Sequence, residues 1–168
     1  MKNISYVDCK KRSQEIAKLF NQSFHFVSKK EKWDKNEIDK KICYSMKYPP
    51  YASIIMAQNE EGKIIGLISI QVAQTEKHKK YFKNLKYSKK YFRQINWLIV
   101  DKNYQKNKIG SMLLNKAEEV KSKYSDTMII LSCDKSLISF YKRNGFKESG
   151  IEENDKYSGK EMMMYKEF

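Results

Sequence analysis

The chain predicts an α/β (α+β) domain built on a mixed sheet with helices on both faces. Three observations lead there. Its 168 residues suit one domain, 1–168, large enough to bury a core without staples. Hydrophobic residues make up 40% and aromatics 13%, which argues against disorder, while 6 Gly and 2 Pro exclude collagen-like and linker-rich chains. Apolar periodicity also switches repeatedly between two and 3.6 residues, in the order β-α-α-β-β-β-α-β-α-β-β.

Residues 3–8 alternate like a short half-buried strand. Ile16, Leu19, Phe20 and Phe24 recur at helical spacing and predict a helix over 10–25. A second helix is expected over 34–47, with Asp34 as cap, Glu37 three residues on, and Ile38, Ile42 and Met46 on one face. Pro49-Pro50 stops it. Segment 52–72 reads as a hairpin turning at Asn59-Glu60-Glu61-Gly62. A polar stretch, 74–91, precedes a strand over Gln94–Val100 and a loop at 101–108. A helix follows over 109–123, with Ile109, Met112, Leu113, Ala117 and Val120 on one face. Then come a buried-type strand, Met128–Cys133, and a short helix over 135–143 ended by Asn144-Gly145. Phe146–Gly150 and Glu161–Lys166 are the last two strands expected.

A net charge of +14 suits phosphate-bearing partners. Yet only Arg12, Arg93 and Arg143 carry the bidentate fork that base readout favours, and the lysines are spread along the whole chain. Nucleic acid is therefore not the expected partner. No stretch approaches the roughly 18 apolar residues of a membrane span. Met1–Lys10 lacks the apolar core of a signal peptide, so a cytoplasmic protein is expected. Cys9, Cys43 and Cys133 lie far apart with no CxxC pair, and His25 and His78 are isolated, so neither a disulfide framework nor a metal site is indicated.

The chemistry concentrates in 97–111, where strand, loop and helix follow one another. A loop entering a helix presents unpaired N–H groups and the positive end of the dipole, a site for phosphate. Lys106 and Lys108 add charge, and Gly110 permits close approach of a ligand to the backbone. An ordinary strand–helix turn with solvated lysines explains the same residues. Neither GxxxxGK[ST] nor GxGxxG is present.

Gln105-Lys106-Asn107-Lys108-Ile109-Gly110 resembles the Gln/Arg-x-x-Gly-x-Gly/Ala motif of the GNAT superfamily of acyl-CoA-dependent N-acyltransferases, with Lys108 in place of the first Gly. Tyr141-Lys142-Arg143-Asn144-Gly145-Phe146 is similar to that family's second signature, a helix ending in Tyr shortly before Gly-Phe. The resemblance implies a mostly antiparallel central sheet of about six or seven strands flanked by about four helices. It implies two parallel strands, 94–100 and 128–133, splaying around the pantetheine arm of acetyl-CoA. Backbone groups of Leu98, Ile99 and Val100 would pair with the arm, and amides of Gln105, Lys106, Asn107, Lys108, Ile109, Gly110 and Ser111 would hold the pyrophosphate. Tyr141 matches the general acid that protonates the leaving thiolate. Asp134 stands where many relatives carry a cofactor-contacting Asn. Asn96 stands where many carry a Glu base; it cannot take a proton but can hold a relay water.

No base is assigned. Asp101, Glu37 and His25 are candidates, each read first as a surface residue. Cys133 beside the implied cofactor gap reads as a core thiol rather than a nucleophile. The implied activity is direct transfer of an acetyl group from acetyl-CoA to a primary amine of a small molecule or protein, with a homodimer compatible with the apolar final strand Met162-Met163-Met164-Tyr165. The rival reading is a catalytically silent binding protein of the same fold. Its surface would be 74–91, where Lys-Lys-Tyr-Phe occurs twice and basic residues interleave with aromatics, fit to grip nucleic acid or an acidic partner. The charge disfavours polycationic acceptors unless an acidic cleft receives them; Glu31, Asp34, Glu37 and Asp39 form the nearest cluster.

Overall fold

The computed structural model describes residues 2–4, 6–23, 34–41, 52–74, 91–120, 128–155 and 159–168. Its strands are β1 (Lys2–Ile4), β2 (Ala52–Gln58), β3 (Ile64–Gln74), β4 (Tyr91–Val100), β5 (Met128–Asp134), β6 (Lys147–Asp155) and β7 (Gly159–Glu167). The helices are α1 (Tyr6–Lys11), α2 (Ser13–Ser23), α3 (Lys35–Lys41), α4 (Ile109–Glu119) and α5 (Ile138–Arg143), with 3-10 turns at Lys102–Tyr104 and Lys135–Leu137. The strands hydrogen-bond in the order β1-β2-β3-β4-β5-β7-β6. β4 and β5 run parallel, whereas β1–β2, β2–β3, β5–β7 and β6–β7 are antiparallel. This is the expected mixed, mostly antiparallel sheet. Among the described residues no helix is long and apolar enough to cross a membrane. The chain divides into two units, Met1–Gln71 with Asn96–Lys121, and Val72–Ile95 with Ser122–Phe168.

In the first unit, register decides which helix each strand residue meets, because residues directly opposite share a face. Ile54 pairs with Ser69 and Met56 with Leu67. Ile54, Met56 and Leu67 join Ile16, Ala17, Leu19 and Phe20 of α2, Cys9 of α1 and Ile99 of β4 in one buried cluster. Phe20 meets the ring of Trp97 edge-on, with centroids 5.4 Å apart. On the opposite face Ile55 pairs with Ile68 and Ala57 with Gly66. There α4 packs down, and a Cβ on Gly66 would lie 3.1 Å from both Ile109 and Leu113. Both faces are thus covered, which explains the uninterrupted buried run Ile64–Ile70.

The β2–β3 turn is tied down by polar contacts. Gly62 N–H donates to Asn59 O at 2.9 Å, and Gly62 takes a φ of 79° that suits glycine. Arg12 donates to Glu15 and, at 2.8 Å, to Gly62 O, while Glu15 accepts from Ile64 N–H at 2.5 Å. The register slips between Ala57 and Gln58, so Ile65 is an extra residue on β3. Its carbonyl accepts Asp101 N–H at 2.9 Å, anchoring the end of β4.

Four expectations need correction here. The strand expected over 3–8 ends at Ile4, and Tyr6 opens α1, since six alternating residues fit either period until packing arbitrates. The helix expected over 10–25 is instead α1 and α2, broken at Arg12. On α4, Leu114 is buried and Met112 is 50% exposed, so the buried face is rotated from the one expected. Buried Cys9 is disulfide-bonded, which sequence spacing does not reveal because bridging depends on Cα separation. Residues 42–47 of the second expected helix lie outside the described residues.

In the second unit β5 pairs with β7 from Met128↔Glu167 to Asp134↔Glu161. Its parallel register with β4 is Arg93↔Ile129 and Gln94↔Ile130. Between Glu148 and Glu152 the β6–β7 register shifts. Ser149 Oγ fills that irregularity, donating to Met163 O at 3.0 Å and accepting from Ile151 N–H at 3.1 Å. Met163 and Met164 are buried, so these two residues of the apolar final strand serve the core. β6 and β7 both run longer than expected, because pairing along their length supports polar residues that apolar pattern alone leaves out.

Candidate active site

In the first unit β4 carries Asn96, Trp97, Leu98 and Val100 half-buried and Ile99 buried. The chain then turns at Asp101, which is 1% exposed and accepts Asn103 N–H at 2.9 Å and Lys63 Nζ at 3.3 Å. Asp101 was expected at the surface. Burial with two donors makes it the lynchpin of the turn and takes it out of contention as a free base. Tyr104 OH accepts from Asn59 at 3.3 Å, and Lys63 lies 5.9 Å from its ring centroid. The hairpin turn therefore braces the loop that follows.

That loop has an unusual backbone. Lys106 and Lys108 take φ values of 65° and 60°, the left-handed region that costs a side chain about 1–2 kcal/mol. Lys108 caps α4 with no side-chain hydrogen bond; its carbonyl accepts Met112 N–H at 2.9 Å. Among the described residues, no amide from Gln105 through Ser111 finds a protein acceptor. Gln105 Nε2 donates back to Val100 O at 3.3 Å, and Ser23 Oγ stands 3.5 Å from the same carbonyl. The structure thus brings Leu98, Ile99, Val100, Gln105, Lys106, Asn107, Lys108, Ile109, Gly110 and Ser111 together at one strand–loop–helix corner. Lys108→Gly is expected to stabilise the fold by about 1 kcal/mol, raising Tm by a few degrees, because glycine adopts this φ without strain. A calorimetric scan showing a lower Tm would contradict that account.

In the second unit β5 delivers Cys133 and Asp134, and α5 delivers Tyr141. Asp134 accepts Ser136 N–H at 2.8 Å and caps the 3-10 turn; hydrogen bonding from Ser136 lowers its pKa, so it is ionised at neutral pH. Tyr141 is buried between Phe140 and Phe146, edge-on to both at 5.0 and 5.7 Å. Its hydroxyl makes no hydrogen bond among the described residues. Burial, with Cys133 and Glu161 nearby, pushes the phenol well above its usual range and keeps it protonated. Two amides, Asn144 N–H at 2.9 Å and Phe146 N–H at 3.1 Å, converge on the Tyr141 carbonyl. Gly145 between them has φ 86°, which is why Gly precedes Phe here.

Cys133 is 3% exposed, lies 3.6 Å from Met164 Sδ, and its thiol is pushed from 9.0 to about 12 by burial first and nearby carboxylates second. A protonated, buried thiol is a core residue, not a nucleophile. A folded-state pKa raised in this way favours the native state fully below about 9 and loses that contribution as pH climbs toward 12. Melting temperature is therefore expected to fall through that window, and Cys133→Ala to flatten the fall. Identical slopes for the two proteins would refute the assignment.

The acetyltransferase (GNAT) domain model matches residues 50–148, more than half of the chain. The chain belongs to that family. No curated protein matches it in sequence. Solved structures show the GNAT fold at low identity. PaiA N-acetyltransferase from Thermoplasma acidophilum, in complex with coenzyme A, aligns over 100% of both chains at 18% identity and TM-score 0.67. An aminoglycoside 6'-N-acetyltransferase complexed with coenzyme A covers 99% of this chain and 97% of its own at 16% identity and TM-score 0.66. Naa20 from Chaetomium thermophilum, in complex with a bisubstrate analogue, covers 99% and 85% at 16% identity and TM-score 0.62.

Within this GNAT frame, sequence reasoning missed Asn59, Lys63 and Gly66. They act only through the fold, and the one hint was the turn-forming Asn-Glu-Glu-Gly. Of the base candidates, Glu37 lies on α3 and His25 falls outside the described residues, as does most of 74–91.

Proposed function

We propose that this GNAT chain is a single-domain enzyme, an N-acyltransferase that moves the acetyl group of acetyl-CoA to a primary amine by direct attack. The observation that carries the reading is the run of amides from Gln105 to Ser111 that finds no protein acceptor among the described residues, at the start of α4, beside a left-handed Lys108. A diphosphate supplies the acceptors such amides lack. The coenzyme A held by two structural neighbours supports a nucleotide thioester as donor.

In this reading Leu98, Ile99 and Val100 offer strand groups to the donor's arm, and a strand N–H stabilises the tetrahedral oxyanion. Asp134 spends its carboxylate on a cap, so its contact to the donor is through backbone. Amine and thioester react when held together, so positioning supplies much of the acceleration. Asn96 holds a water that relays the amine's proton to bulk solvent, since no side chain is assigned as base. Tyr141 donates to the sulfur as the C–S bond breaks. Its high pKa suits the task where the leaving thiolate is raised too, and the burial that pushes the Cys133 thiol up supports such a match.

Thermal melting with acetyl-CoA, desulfo-CoA and ADP tests the donor. At about 100 times its dissociation constant, acetyl-CoA is expected to stabilise by roughly 2.7 kcal/mol, a shift of several degrees. Thiol release across a panel of primary amines then tests the transfer. No shift at millimolar donor would overturn the reading.

A further inference from the structure

We propose that Lys166 of β7 is a positioning residue for the acid step, acting on Tyr141 through the turn at Asn144–Phe146; this rests on the reading of Tyr141 given above. α5 has six residues, too few to hold its shape alone. Its terminal carbonyls need partners from outside the helix. Asn144 Nδ2 donates to Phe140 O at 2.8 Å, and Gly145 N–H to Lys142 O at 3.0 Å. These contacts are local to the turn. Lys166 is different, because it reaches in from another strand and donates to Asn144 O at 3.1 Å.

The contact is built rather than incidental. Lys166 stands opposite Ile129, in the β5–β7 ladder. Its stem passes directly beneath Gly145, where a Cβ would come within 3.2 Å of Lys166 Cε and 3.3 Å of Nζ. The missing side chain at Gly145 therefore serves two ends, the left-handed φ and the passage of the lysine. A cation at the C-terminal end of a helix also meets the negative end of its dipole.

From Lys166 the chain of contacts is short. The ammonium holds the Asn144 carbonyl, the Asn144 and Phe146 amides hold the Tyr141 carbonyl, and the Phe146 ring abuts the Tyr141 ring. The tyrosine hydroxyl has no hydrogen bond of its own among the described residues, so its place is set by these backbone and ring contacts. Loosening the turn broadens where the hydroxyl sits, and proton transfer is sensitive to displacements of about 1 Å.

The test is a double-mutant comparison, following thiol release from acetyl-CoA with the best amine of the panel. Lys166→Met is expected to lower kcat about tenfold while leaving KM for acetyl-CoA within about twofold, and Lys166→Arg to restore the rate. In a Tyr141→Phe background the same Lys166→Met change is expected to alter kcat by less than about twofold, since the group it positions is gone. Should Lys166→Met prove unfolded by circular dichroism, Lys166→Gln enters the same comparison. An equal loss in both backgrounds would mean a general structural role and overturn the proposal, as would full activity of Lys166→Met. Full activity of Tyr141→Phe, or no thiol release from the unmodified chain, would instead overturn the acid reading beneath it.

Discussion

Tyr141→Phe is expected to lower kcat for acetyl transfer by about 10²-fold while leaving the affinity for acetyl-CoA nearly unchanged. The ring is buried between Phe140 and Phe146, and Phe fills the same space, so the fold loses one hydroxyl and little packing. That hydroxyl has no protein partner among the described residues whose loss would expose a second polar group. The change therefore isolates chemistry from stability. Because burial holds the phenol above its usual range, the unmodified protein keeps the acid protonated throughout the neutral and mildly alkaline range. Any alkaline loss of rate in that range thus has another origin. Single-turnover thiol release together with calorimetric titration of acetyl-CoA measures both halves of the expectation. A variant with full turnover would remove Tyr141 from the mechanism, and one with weakened donor binding would make it a binding residue instead.

Phe20→Ala is expected to destabilise the fold by about 3–5 kcal/mol, lowering Tm on the order of 10 °C. Phe20 is fully buried in the cluster that joins α1 and α2 to β2, β3 and Ile99 of β4. Its edge-on contact with Trp97 adds to the packing lost. Phe20→Leu keeps most of the volume and is expected to cost roughly half as much or less. Urea melts of the two variants decide the matter. A cost below about 1 kcal/mol for the alanine variant would show that this side of the sheet is loosely packed.

How much was legible in the sequence varies by element. The hairpin was readable because Asn59-Glu60-Glu61-Gly62 is turn chemistry and the flanking runs are β-prone; the structure keeps both strands. The Tyr141 to Phe146 signature was readable for a local reason: a C-terminal glycine at positive φ reports on itself. Lys108 was legible only as a departure from the family motif. Its left-handed backbone shows that the loop keeps a shape suited to glycine and accepts strain to do so. Asp101 was misplaced because its burial comes from Lys63 and the Ile65 bulge, partners 38 and 36 residues away, and no local pattern encodes them.

Taken alone, the order of elements and the spacing of short-range motifs pointed to the family that the domain model then matched, and to the loop and helix proposed to hold the donor. Those features depend on backbone preferences and periodicities that span only a few residues. Tertiary structure decided everything that needs two distant segments to meet. It placed Gly66 under α4, chose Leu114 over Met112 for burial, closed Asp101 against Lys63, and brought Lys166 beneath Gly145. Such contacts arise from register and packing, where a shift of one residue turns a side chain to the opposite face, and only the folded sheet fixes that choice.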